Sequence, residues 1–306
     1  MTQLFFSQID FAETETAGST SPIFKRLLRR NCPISVTHRS HWSGMQFPWN
    51  STHADIKATV ALLFTFTAGF IDIIGYITVY HVFVAHVTGA TVHLGNKLVA
   101  RSWPDAARAA SVVVSFVGGS VIGRTVIEMG ARRRVRTAAT FAIAGEVLLV
   151  LAFLWLGSSV SQQFTPQSIP LSIACLLLAF LATAMGLQTA ILTRIGPLTI
   201  HTTFVTGMLN KLAQEVARWL FWIHDSWWQS RSFQAFVRSS RQQTSFRNAG
   251  FMVGIWFSYA VGSVTGTWTN SRWRLTALYV PVLILLVSIA VDQLQPLSIE
   301  EESDQS

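Results

Sequence analysis

The sequence predicts an all-α fold, a polytopic membrane helical bundle of about six transmembrane helices in two inverted three-helix repeats. Three observations lead there. Charged residues make up 12% of the 306-residue chain, about half the share of a soluble globular domain. They are placed unevenly and leave long apolar stretches between them. Short motifs of the first half also recur, in order, in the second.

Crossing the hydrocarbon core takes about 20 mainly apolar residues at ~1.5 Å per residue. Segments at roughly 59–80, 106–127, 137–156, 171–193, 249–268 and 275–291 meet that requirement. The second is the weakest, because Arg108 and Arg124 bracket a short uncharged run and have to extend toward the membrane surface. Two further stretches, roughly 81–100 and 199–219, are only half apolar, and each contains a Thr-Gly pair and a lysine. Leaving both out as crossings puts most of the 23 Lys and Arg, including the Arg132-Arg133-Arg134 cluster, on one side, while the uncharged 157–170 connection faces the other. The positive-inside rule then places both termini in the cytoplasm, in a multi-pass protein of the cell membrane.

The domain organisation follows. Residues 1–55 form a polar N-terminal tail, disordered or interfacial, without the long apolar run of a signal peptide. Residues 56–292 form the transmembrane domain, with repeat one at about 57–157 and repeat two at about 170–292, the latter carrying an insertion at 221–247. An acidic tail, 293–306, ends the chain.

The repeat rests on three blocks. AGFIDIIGY (68–76), FVAHVTGATVHLGNKL (83–98) and GSVIG (119–123) are followed by MGLQTAI (185–191), TTFVTGMLNKL (202–212) and GSVTG (262–266). Gly69 to Gly89 is 20 positions and Gly186 to Gly207 is 21. An odd number of crossings per repeat inverts the second copy, an arrangement used by many secondary transporters. The two Thr-Gly elements then approach from opposite sides, and the sequence leaves open whether they are re-entrant or amphipathic surface helices.

GFID (69–72), AHVTG (85–89), GLQTA (186–190) and TTFVTG (202–207) resemble the YoaK-like family of integral membrane proteins, which is defined by a domain of unknown function. The resemblance covers roughly 57–292 and implies the membrane fold without implying a substrate. The chain departs from it in two places. It has Thr88-Gly89-Ala90 where the family commonly has Thr-Gly-Asn, and Gln188-Thr189 where it commonly has Gln-Asn.

Candidate ligand or coupling residues follow from the cost of polar groups in lipid. Asp72 and Glu146 lie within apolar spans, where a carboxylate is costly unless it is paired or functional. His86 offers proton exchange near neutral pH. Thr88, Gly89, Thr206 and Gly207 supply hydroxyls and open backbone, and Gln188 supplies an amide. His81, His86 and His93 do not share one helical face, so their spacing gives no metal site. Gly119 with Gly123, and Gly262 with Gly266, are small-residue pairs suited to close helix packing, expected to join spans two and five. The insertion, with Trp219, Trp222, Trp227 and Trp228 among its arginines, reads as an interfacial segment.

These features exclude several classes. The net charge of +8 comes with no nucleic-acid motif, and Cys32 and Cys175 cannot make a disulfide framework or a four-ligand zinc site. No zincin, nucleophile-elbow or Walker pattern occurs, so an enzyme is not expected, and neither is a cofactor. The expected partners are the lipid bilayer and a small solute or ion. The function expected is transport, with a non-transporting scaffold or sensor as the alternative and an intramembrane enzyme behind it.

Overall fold

In hydrocarbon every backbone N–H and C=O has to find its partner inside the protein, and a helix satisfies this within one segment. The computed structural model describes residues 52–79, 81–163, 168–191, 194–195, 198–199, 205–227, 239–240 and 243–297. In chain order the helices are α1 (Thr52–Thr78), α2 (Val87–Val99), α3 (Trp103–Arg132), α4 (Ala138–Gln163), α5 (Leu171–Ile191), α6 (Val205–Trp227), α7 (Thr244–Trp273) and α8 (Tyr279–Leu294). A small antiparallel pair, β1 (Arg194–Ile195) and β2 (Leu198–Thr199), lies between α5 and α6.

Among the described residues, five stretches are long and apolar enough to cross a membrane, and the last runs 51 residues, Thr244–Leu294. At ~1.5 Å per residue that stretch would be more than twice the hydrocarbon thickness. Arg274 divides it: with φ at 49° it ends α7, and a 3-10 turn, Arg274–Leu278, leads into α8. Six crossing helices result. Pro104 and Pro281 fall in the first turns of α3 and α8, where the missing N–H costs no helical hydrogen bond. α2, at 13 residues, is about 20 Å long and too short to cross. α6 is long enough but carries Lys211, Glu215, Arg218 and Asp225, four charges too many for hydrocarbon, and Glu215 is buried and paired with Arg218 at 2.9 Å.

Without a hydrophobic drive between helices in lipid, close backbone packing has to hold them, and glycine permits it. The structure uses this four times. A Cβ on Gly262 would stand 2.1 Å from the Phe66 carbonyl oxygen, and one on Gly69 would stand 2.3 Å from that of Tyr259. A Cβ on Gly119 would stand 2.3 Å from the Thr183 carbonyl oxygen, and one on Gly186 would stand 2.3 Å from that of Phe116. α1 therefore packs on α7 and α3 on α5, each pair running parallel, because successive contacts advance along both helices together. Gly123 against Leu187 and Ala190, and Gly266 against Phe70 and Ile73, extend the two contacts by a turn. The expectation that these glycines join spans two and five is corrected here. Span two meets span four and span five meets span one, because each glycine face needs an equally bare partner face, and Gly186 and Gly69 provide them.

α1 and α5 run antiparallel, with Gln188 level with Phe64 and Leu181 level with Gly75. α8 packs on both α1 and α4. Outward-facing apolar side chains cover the crossing helices, among them Val114, Val121, Leu148, Trp155, Phe257, Val264 and Leu283, all exposed. In a multi-pass membrane protein these surfaces face lipid. Arg124 extends outward as expected, but Arg108 does not: it is buried one turn into α3 and bonds to Asp105 at 2.6 Å. A paired guanidinium close to the helix start avoids the need to reach the surface.

The insertion is divided among neighbouring elements. Residues 221–227 continue α6 and 244–247 begin α7, while 228–238 lie outside the described residues. Trp219 donates to the Ser240 hydroxyl at 3.0 Å and packs on Phe246, tying the end of α6 to the start of α7. The N-terminal tail up to residue 51, and 298–306 of the C-terminal one, also lie outside the described residues.

The glycine contacts give a direct test in thermal unfolding of the purified protein in detergent. Gly262→Ala and Gly119→Ala should each lower the midpoint, since overpacking of this kind costs about 1–3 kcal/mol. Gly118→Ala, where nothing lies within 4 Å, should leave it unchanged or raise it slightly. Equal behaviour of all three would show that close approach does not hold the bundle.

Candidate functional site

Six residues before the end of α1, Asp72 is buried at 1% exposure. Oδ1 accepts the backbone N–H groups of Val84 at 2.7 Å and Ala85 at 2.8 Å. Oδ2 accepts the Tyr259 hydroxyl at 2.7 Å and lies 2.6 Å from His86 Nδ1. One carboxylate thus joins three parts of the chain: the end of α1, the segment leading into α2, and α7. The Gly69–Tyr259 contact one turn away brings α7 close enough for the hydroxyl to reach. A carboxylate with four donors avoids the penalty of an unpaired buried charge.

The approach to Asp72 is aromatic. Tyr76 stacks on Phe83 at 4.4 Å, Phe83 meets the edge of His86 at 5.3 Å, and His86 meets the edge of Tyr259 at 5.8 Å. His81, in the left-handed region at φ 55°, turns the chain at the top of this stack and packs on Tyr76. The His86 side chain is 39% exposed while that of Asp72 is 2% exposed, so the imidazole lies between the buried carboxylate and the surface. The bond to Asp72 raises the His86 pKa above 6.5, against an opposing effect of partial burial.

Asp292 provides a comparison. It is also buried, and its carboxylate accepts from Thr140 N, Thr140 Oγ1 and Leu297 N, fixing the end of α8 to the start of α4. All its partners are non-titrating, so it can only hold. Asp72 differs through His86, which can carry or release a proton near neutral pH.

The other expected site residues lie elsewhere. Thr88 and Gly89 sit exposed at the start of α2, just past His86, and Thr206 (exposed) and Gly207 (half-buried) begin α6. None of these four is among Asp72's partners. Glu146 on α4 and Gln188 on α5 are fully buried, and Gln188 Nε2 donates to the Phe64 carbonyl at 2.9 Å. His201 lies outside the described residues. No group of three or more His, Cys, Asp or Glu that could hold a metal ion occurs among the described residues.

Tyr259 is the member of the cluster that sequence reading missed. The repeat did carry a signal for it. Aligning GSVIG with GSVTG sets Tyr259 opposite Phe116, and aligning Gly69 with Gly186 sets Asp72 opposite Thr189. The hydroxyl that meets the carboxylate stands where the other half has a phenylalanine, and the carboxylate stands where the other half has a threonine.

The model of a family described as "Protein of unknown function (DUF1275)" matches residues 60–291, from early α1 almost to the end of α8. The chain belongs to this family. It is also similar to the "UPF0700 transmembrane protein YoaK" of Bacillus subtilis (strain 168), 28% identical over 170 residues that cover 56% of this chain and 72% of that protein. No solved structure matches. Within this family member, both halves of the Asp72 cluster fall inside the matched region, Tyr259 included.

The cluster has a pH signature. Because the folded-state pKa of His86 is raised above 6.5, the His86–Asp72 ion pair contributes its full stability below pH 6.5 and loses it as the pH rises through that raised value. The thermal midpoint of the wild type should therefore fall over that interval. His86→Gln, which keeps a donor but cannot titrate, should flatten this part of the profile. An identical profile in wild type and variant would remove His86 as its source.

Proposed function

We propose that this multi-pass membrane protein moves a small solute or ion across the cell membrane, with the Asp72–His86–Tyr259 cluster exchanging the coupling proton. The observation that carries the reading is a buried carboxylate bonded to a half-exposed histidine where α1, α7 and the α2 entry segment meet. A proton arriving at His86 weakens or strengthens the hold of Asp72 on three chain segments at once. Protonation and the position of the α2 entry segment are thereby linked. The proposal is transport without covalent chemistry.

Two further features support it. The reciprocal glycine contacts pair Gly69 with Gly262 and Gly186 with Gly119, as expected if the triplets α1–α3–α4 and α5–α7–α8 are inverted copies. In inverted-repeat transporters, substrate and ion sites lie where such halves meet. The Arg132–Arg136 turn between α3 and α4 is strongly basic, which by the positive-inside rule makes it cytoplasmic and puts the His86 side of the bundle outside.

The test is a flux measurement in liposomes carrying the purified full-length protein and an internal pH dye. Under an imposed pH gradient, solutes from a panel of alkali salts, amino acids and small organic acids are added outside. Proton movement should accompany at least one of them. His86→Gln should reduce the pH dependence of that flux by tenfold or more. Asp72→Asn should lose the flux too, and the structure adds a cost, since its amide nitrogen would face donors; about 1–3 kcal/mol of stability should go with it. The absence of solute-linked flux across the panel, or full pH dependence in His86→Gln, would reject the reading.

A further inference from the structure

The bundle contains a second polar centre, independent of Asp72. Helices α1, α5, α4 and α8 pack in a ring, each on the next. Within it Thr67, Glu146, Gln188 and Ser288 are all at 0% exposure. Three of these leave buried oxygens without a hydrogen-bond partner: Glu146 Oε1 and Oε2, Gln188 Oε1 and Thr67 Oγ1. Their levels along the helices coincide. Gln188 is fixed by its amide nitrogen to the Phe64 carbonyl, one turn before Thr67. Leu187, beside Gln188, reaches within 3.3 Å of a Cβ position on Gly145, beside Glu146.

The chemistry of this set is selective. Every orphan atom of the set is an oxygen, and the Gln188 nitrogen donates to the Phe64 carbonyl, which leaves its amide oxygen free to face a ligand. Such a set repels anions and attracts a cation. One carboxylate balances one positive charge, whereas calcium takes six to eight oxygens with several carboxylates among them. Nitrogen or sulfur ligands suited to zinc or copper are missing from the set. Leaving these atoms unpaired in a low-dielectric interior is unfavourable, and a bound cation would offset that cost.

We infer that Glu146, Gln188 and Thr67 form a buried binding site for a monovalent alkali cation, with a proton competing for Glu146. This deepens the transport reading by naming a coupling ion and rests on it for physiological meaning, but binding itself requires no flux.

The probe is the cation alone. The purified full-length protein in detergent at pH 8 is unfolded thermally while NaCl, LiCl or KCl replaces choline chloride at constant ionic strength. A ligand at 100 times its Kd should raise the midpoint by roughly 5 °C, saturably and for one alkali ion more than the others. Lowering the pH from 8 to 5 should raise the half-saturating concentration about tenfold. Glu146→Gln should abolish the shift, Thr67→Val should weaken it about tenfold, and Asp72→Asn should keep it. Thr67→Val, nearly constant in volume, decides the matter if Glu146→Gln fails to fold. No alkali-specific shift, a shift that persists in both Glu146→Gln and Thr67→Val, or a response to pH alone would overturn the site. A cation shift without solute flux would keep the site and remove transport, and flux without a cation shift would do the reverse.

Discussion

Backbone-to-backbone approach at four glycines governs the rest of this molecule. Lipid gives apolar helices no reason to leave it for one another, so a helix pair in the membrane has to gain contact that lipid cannot match. At Gly69, Gly119, Gly186 and Gly262 the facing carbonyl sits where a side chain would otherwise stand. Serines add to it: Ser258 donates to the Leu62 carbonyl at 2.7 Å and Ser263 to that of Gly69 at 3.2 Å. With α1 held on α7 and α3 on α5, the remaining crossing helices pack around the two pairs.

The same close approach makes the Asp72 cluster geometrically accessible. Tyr259 reaches Asp72 because α7 lies against α1 within a turn of both residues. A bulky residue at either glycine would separate the helices and leave a buried carboxylate short of a donor, which costs more than the hydrogen bond itself contributes. Packing and charge placement are therefore a single constraint on this face of α1. Glu146 stands in contrast: among the described residues nothing satisfies its oxygens, although it is as deeply buried.

Much of the fold was legible because lipid imposes a length and a composition on each crossing. The spans around α1, α4, α5 and α7 fall where the hydropathy of the chain puts them, and the recurrence of Gly-Ser-Val marked the packing glycines. Which helix those glycines met was not legible, since a glycine pair states that a partner is close without naming it. Asp72 and His86 were individually readable as costly or titratable groups. Their convergence with Tyr259 was not, because it depends on a contact across 187 residues. The Thr-Gly pairs drew attention through repetition, yet Thr88 and Thr206 lie exposed on α2 and α6, helices too short or too polar to cross.

The interleaving of the triplets bears on how the chain is made. Leu62 of α1 waits for Ser258, 196 residues downstream, before its contact is complete, and no helix of its own triplet substitutes for that partner. During synthesis α1 therefore sits in the membrane with its glycine face and Asp72 lacking their α7 partners until α7 emerges. A chain cut between α4 and α5 would separate α1 from α7, α3 from α5 and α4 from both α5 and α8. With α7 in place, the packing of α1 and the donor set of its buried carboxylate are completed at once.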